Sequence, residues 1–291
     1  MEYFDLHCDT VNKYFEKAVP FKDTAFKLCP VSKFVKQKQC FAVFVSDKEK
    51  DANRKREGLY EKYLDLKVKA ENKGAKAYLS LENSKGITDA HRWKERGVIM
   101  ASLTWNGENE FAHGALCKSG GLKEKGKALI KEFERENIVL DVSHLNFSSF
   151  SDVCRFTDKP LVASHSNCYT LCEHKRNLMD EQIREIIKRD GLIGLCFYPV
   201  FLGKGDVFEN IYRNICHIAM LGGENNISLG SDFDGAKMSR RLKTSEDVYS
   251  LYEFLRHKSL SEKLISKIFY KNSEKFFRKC FTLRNFYGNI Y

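Results

Sequence analysis

The chain has 291 residues, a net charge of +10, and 43% hydrophobic side chains including 13% aromatics, which supports a sizeable core and excludes a disordered or fibrous protein. Its lysines and arginines alternate with acids in segments such as EKYLDLKVKAENKGAK and LISKIFYKNSEKFFRK, so no nucleic-acid partner is expected. No run approaches the roughly 18 apolar residues of a membrane span, and a strand starting near Tyr3 leaves no room for a signal peptide, so a cytoplasmic protein without membrane partners is expected.

Short runs rich in β-branched and aromatic residues alternate with segments of helical period along the whole chain. YFDLH and CFAVFVS read as strands, and DANRKREGLYEKYLDLKVKAENKG as a helix ending at glycine. KAYLSLE is the next strand, followed by a helical ENSKGITDAHRWKERG and the strand VIMASLTW. GGLKEKGKALIKEFEREN carries Leu129, Ile130 and Phe133 at helical spacing. IVLDVSH and LVASHS are strands, then come the helix MDEQIREIIKRDG, the strand LIGLCFYP, the helix VFENIYRNICHIAMLGG and the strand ISLGSDFD. Two further helices close the chain, each opened by a capping-box pattern, Thr244 with Asp247 and Ser259 with Glu262.

Eight strand runs separated by helices predict an α/β fold, a single (β/α)8 TIM barrel with extra C-terminal helices, for which about 250 residues is typical. An open doubly wound sheet would bring a glycine-rich phosphate loop after the first strand, and DLHCDT has none. With only 4 prolines and no low-complexity stretch, residues 1–291 read as one domain. The 10 cysteines lie mostly inside apolar runs without a C-x-x-C pair, so they read as reduced thiols and not as metal ligands.

In such a barrel the carboxyl ends of the strands open onto one face. Strand one ends in His7 and Asp9, strand three in Glu82, strand five in Asp141 and His144, strand six in His165, and strand eight in Asp232 and Asp234. The opposite ends, near Lys76, Gly97, Asn137 and Pro160, show no such cluster. Any one of these residues alone fits an ordinary cap or core histidine; their joint placement at one end points to metal-assisted hydrolysis. His7 and Asp9, two apart on a strand, turn to one side and can hold one cation. His144 and His165 can hold a second, with Glu82 bridging. Imidazole and carboxylate donors suit Zn²⁺, with Mn²⁺, Fe²⁺ or Co²⁺ as competitors. Two ions about 3.5–4 Å apart share a hydroxide and polarise a carbonyl, leaving Asp232 free as general base and acid. Asp5, in the same alternating series, is expected to orient the His7 ring, and Cys8 to face the helices.

With these residues in hand, the chain resembles the membrane (renal) dipeptidase family of zinc peptidases, among the amidohydrolase-like barrel hydrolases, from about Phe4 to Phe277. DLHCDT is similar to the family's D-x-H-x-D segment, SLEN carries its bridging glutamate at Glu82, DVSH and ASHSNC its histidines at His144 and His165, HKRN its carboxylate-binding arginine at Arg176, and GSDFDG its catalytic aspartate at Asp232. The resemblance implies His7, Asp9 and Glu82 on one zinc and Glu82, His144 and His165 on the other. It implies Arg176 on the free carboxylate of a dipeptide and Asp232 on its amine, passing protons to the leaving nitrogen.

Strand four departs from the pattern. Renal-type members place a histidine where SLTWNGENEFAHG has Trp105, which would face the substrate with an indole N–H that cannot titrate near neutrality; His113, in the same loop, offers a substitute. The expected function is hydrolysis of small dipeptides, with a D-residue tolerated at the carboxyl side. The alternatives are a binuclear hydrolase of another small amide or lactam, its pocket shaped around Trp105 and Phe201, and a non-catalytic metal-binding barrel. Expected partners are a dipeptide-like substrate and, at most, a second copy in a homodimer.

Overall fold

A computed structural model describes residues 1–16, 19–27 and 34–282. Each of the eight predicted runs forms a parallel strand: β1 (Glu2–Cys8), β2 (Lys36–Phe44), β3 (Ala75–Glu82), β4 (Val98–Ser102), β5 (Val139–Asp141), β6 (Val162–Ala163), β7 (Leu192–Leu195) and β8 (Ile227–Leu229). They close into a barrel in chain order, with β8 returning to β1 through Asp5 and Leu229. Around it lie α1 (Thr10–Glu16), α2 (Ala52–Glu71), α3 (Ala90–Glu95), α4 (Glu124–Glu136), α5 (Phe147–Phe156), α6 (Asp180–Lys188), α7 (Pro199–Leu202), α8 (Val207–Met220) and α9 (Val248–His257). The terminal helices α10 (Glu262–Ser266) and α11 (Asn272–Thr282) are joined by a π-helical turn, Lys267–Lys271. Among the described residues no helix is long and apolar enough to cross a membrane.

Local chemistry sets most boundaries. The α2 helix begins where Asp51 accepts the Arg54 N–H at 3.0 Å, and the chain leaves it through Gly74 at φ +88°, a conformation that costs glycine little. The predicted helix over 82–97 shrinks to α3, because Asp89 caps it at Arg92 and the preceding Ser84 is tied to β4 through Ser102. Asp247 accepts the Thr244 N–H at 2.8 Å, as the capping box requires. The second box is misplaced by two residues. Ser259, at φ 60°, closes α9, and Ser261 caps α10 by accepting the Leu264 N–H.

Two apolar clusters hold the barrel. The larger joins strands to the surrounding helices, for example Phe41 with Leu59 and Phe133 with Leu140. The smaller gathers Phe4, Met100, Val139, Val162 and Leu192 from the amino ends of strands with Tyr270, Phe276 and Phe277 from the terminal helices. Phe4 stacks on Tyr78 at 5.5 Å and on Phe277 at 5.7 Å. One mouth of the barrel is therefore closed by hydrocarbon, and the polar strand ends crowd the other.

The first strand is not regular. Its ladder pairs Asp5 with Gln39 but Cys8 with Phe41, three residues against two, which is a bulge. The bulge breaks the alternation between Asp5 and His7, so Asp5 does not orient the His7 ring as expected. Asp5 instead accepts the Ser231 N–H (2.8 Å) and hydroxyl (2.6 Å), the Tyr3 hydroxyl (2.9 Å) and only the backbone N–H of His7. It ties β1 to the segment after β8. Cys8 packs in the cluster between strands and helices, as expected. Nine cysteines are free, and Cys29 lies outside the described residues.

Candidate metal centre

The polar mouth brings the predicted residues together. Three overlapping sets have their ligand atoms within 4.8 Å of one another: His7, Asp9 and Glu82; Glu82, His144 and His165; and His7, His165 and Asp232. His7 Nε2 lies 3.5 Å from both Asp9 Oδ2 and Glu82 Oε2, and the His7 ring stacks on His165 at 3.8 Å. Glu82 Oε1 and His144 Nε2 are 2.8 Å apart, and His144 Nε2 is 2.8 Å from His165 Nε2. His144 and Asp232 hold left-handed φ angles of 71° and 62° just past their strands. Such strain costs on the order of 1–3 kcal/mol per residue and persists where the surroundings impose it.

Neighbouring hydrogen bonds fix the ring tautomers. Asp141 accepts the backbone N–H of Ser143 (2.9 Å) and of Ser164 (3.0 Å), together with the Ser164 hydroxyl. Having given its proton to Asp141, Ser164 Oγ accepts from His165 Nδ1 at 2.8 Å. His144 Nδ1 faces Asn106 Oδ1 at 2.9 Å and donates to it. Both rings then carry their proton on Nδ1, and two Nε2 lone pairs meet at 2.8 Å beside a carboxylate oxygen. Three electron pairs without a proton between them repel unless a cation sits among them. In addition, His7 Nε2 and Asp9 Oδ1 are buried without a hydrogen-bond partner. The donor set therefore fits divalent metal ions, which a neutral hydrogen-bonded core would not need.

Electrostatics reflects the same crowding. Burial opposes charge on His7, but the Asp9 and Glu82 carboxylates outweigh it and raise its pKa well above the ordinary imidazole value. Burial, reinforced by the Arg176 cation, pushes His144 down to about 4. Burial with His7 and Arg176 lowers His165 well below the ordinary imidazole value. Burial and the like charge of Asp9 raise Asp232 well above the carboxylate range.

A cavity of about 500 Å³ opens above this cluster, lined by Trp105, Arg176, Asp232, Phe44, Tyr198 and Phe201 among others. Arg176 is buried, donates from Nη2 to the His165 carbonyl at 3.2 Å, lies over the Phe201 ring at 5.6 Å and keeps an unpartnered Nε. Trp105 stands in the wall between Phe44 (5.1 Å) and His144 (6.3 Å). His113, weighed as a substitute against the favoured reading of an ordinary loop histidine, is not among the cavity-lining residues. Its Nδ1 bonds the Gly121 carbonyl at 2.9 Å and its Nε2 points to Glu108 at 3.4 Å. Asn106 occupies the place beside the ligand histidine instead, and nothing in the sequence singles it out. Asp234 accepts Lys13 and Thr10, both at 2.7 Å, and holds the rim. Gly235 packs so closely that a Cβ there would lie 2.1 Å from Asp9 Oδ2.

The sequence model of the membrane dipeptidase family, peptidase family M19, matches residues 43–287. The chain belongs to this family. It is similar to dipeptidase aclJ of Aspergillus oryzae, with 33% identity over 163 residues that cover 54% of this chain and only 38% of that protein. The fold is that of dipeptidase AC, a metallopeptidase of family M19, with a TM-score of 0.87 at 23% identity over 96% of this chain and 98% of that one. It is also that of a Rhodobacter sphaeroides metallopeptidase liganded with a phosphinate mimic of the dipeptide L-Ala-D-Ala, with a TM-score of 0.83 at 22% identity over 97% and 99% of the two chains. Both solved structures thus share this chain's fold over nearly its whole length.

Proposed function

We propose that this M19 protein is a cytoplasmic binuclear dipeptidase that hydrolyses the amide bond of small dipeptides. The observation that carries the reading is the sharing of one carboxylate, Glu82, by two ligand sets beside a buried, partly unpartnered Arg176. His7, Asp9 and Glu82 hold one ion and Glu82, His144 and His165 the other, with zinc favoured by the imidazole and carboxylate donors. When bound, the ions supply Lewis acidity toward the amide carbonyl and a water of lowered pKa.

The chain's own residues do the rest. Arg176 takes the substrate's terminal carboxylate in a planar, two-pronged contact that its unused Nε–H can complete. Asp232, which also lines the cavity and is not required by the two sets sharing Glu82, takes the free amine and hands a proton to the leaving nitrogen. Trp105 and Phe44 wall the cavity with apolar surface and limit water beside His144. A purely structural metal site would need neither Arg176 nor Asp232.

The test pairs metal analysis of protein purified without added metal with turnover of L-Ala-L-Ala and L-Ala-D-Ala. Two equivalents of metal and hydrolysis of at least one dipeptide are expected. Unaltered hydrolysis in Glu82→Ala protein would show that the shared-carboxylate mechanism is wrong.

A further inference from the structure

The catalytic cavity is continuous with a second groove. Lys13, Asp234 and the segment Gly235–Lys237 line both, and the groove encloses about 760 Å³. Its charge is one-sided. Lys237, Arg240 and Lys243 line it as exposed side chains, and among the described residues none of the three has a carboxylate partner. Of the two carboxylates that line the groove among the described residues, Asp234 is neutralised by Lys13 at 2.7 Å, leaving Asp23. A concave surface with this imbalance concentrates anions next to the reacting centre.

The wall between groove and cavity locates the end of the substrate concerned. Gly235 presses on Asp9 and Asp232, so close that a Cβ would lie 2.5 Å from Asp232 Oδ1. The groove therefore starts at the aspartate assigned to the substrate amine, and Arg176 lines the catalytic cavity but not this groove. We propose that the groove receives the anionic side chain of the substrate's amino-terminal residue, which makes the enzyme selective for dipeptides beginning with glutamate or aspartate. This inference rests on the dipeptidase reading and on the orientation that Arg176 and Asp232 give there.

The test compares kcat/KM for Glu-Ala, Lys-Ala, Ala-Ala and Ala-Glu at low and high salt. At low ionic strength Glu-Ala exceeds Lys-Ala by about tenfold, the sum of several exposed pairs each of modest strength, and the ratio falls toward about twofold near 0.5 M salt as screening shortens. Charge reversal in Lys237→Glu/Lys243→Glu protein inverts the order of Glu-Ala and Lys-Ala. Where that variant fails to fold, Lys237→Gln alone lowers the ratio, and the salt dependence of the natural protein needs no variant. Equal rates for Glu-Ala and Lys-Ala, faster cleavage of Ala-Glu than of Glu-Ala, or a preference indifferent to salt and substitution overturns the inference. Cleavage of Ala-Ala without any charge preference overturns it alone; failure to cleave all four overturns the dipeptidase reading with it.

Discussion

Asp141→Asn is the substitution that isolates the tautomer argument, because it changes one acceptor into a donor without changing shape. Asp141 Oδ1 serves two backbone N–H groups at 2.9 and 3.0 Å, and an asparagine oxygen keeps both. The amide nitrogen then replaces Oδ2 and faces Ser164 Oγ as a donor. Ser164 accepts from it and turns its own proton toward His165 Nδ1 at 2.8 Å in preference to Ser143 Oγ at 3.3 Å, so that Nδ1 becomes an acceptor and the ring proton moves to Nε2. A protonated Nε2 cannot bind metal. Binding restores the original tautomer only by moving that hydroxyl proton to the longer Ser143 contact, where the buried donor is poorly satisfied, at about 1–3 kcal/mol. At about 1.4 kcal/mol per tenfold, affinity falls by about 5- to 150-fold, in the range found when partners of ligand histidines are removed. Competition with a chromogenic zinc chelator measures the affinity, and ¹⁵N NMR of the metal-free protein reads the ring proton. Wild-type affinity within about twofold, with the His165 proton still on Nδ1, would refute the reasoning.

Other perturbations address the remaining parts. Arg176→Lys keeps the charge but not the planar fork, so KM for Ala-Ala should rise about 10- to 100-fold with a smaller change in kcat; equal KM values would remove Arg176 from substrate binding. Gly235→Ala places a methyl 2.1 Å from Asp9 Oδ2, so elemental analysis should find less bound metal than in the natural protein, and full occupancy would contradict the close packing. Trp105→His supplies a titratable donor beside His144 and should raise dipeptide turnover; a decrease with metal content intact would make the indole part of a different design. Phe277→Ala empties a site that is 2% exposed and should cost about 3–5 kcal/mol in denaturant unfolding, while metal content stays unaltered in the folded protein.

The parts of the site legible in the sequence were those fixed by strand ends. A strand's last residue must leave the ladder at the barrel mouth, so His144, His165 and Asp232 could be placed from short apolar runs alone. Asp5 was misread because alternation presumes a regular ladder, and the bulge between Asp5 and Cys8 depends on pairing with β2, some 30 residues away. Asn106 and Ser164 were invisible for another reason. Each acts through one hydrogen bond to a ring nitrogen, a contact made by loop geometry and marked by no spacing. His113 shows the converse, a chemically apt residue that its loop directs toward Gly121 and Glu108.

Why the polar mouth is affordable follows from the other end of the same barrel. Burying His7, Asp9 and Glu82 beside the half-buried Asp232 works against folding until cations compensate them. The cluster of Phe4, Met100, Leu192, Tyr270, Phe276 and Phe277 supplies apolar burial elsewhere in the same barrel. Tyr270, Phe276 and Phe277 come from helical segments beyond the eighth strand, so the terminal helices belong to the site's support and are not an appendage. Close backbone approach at the centre completes the arrangement. A Cβ at Gly194 or Gly230 would lie 2.0 or 1.8 Å from the Ser164 carbonyl, so these two glycines let β7 and β8 approach the segment that positions His165. The residue that orients a ligand is thereby set by glycines on two neighbouring strands, which is why the geometry of the centre depends on barrel closure and not on the ligand motifs alone.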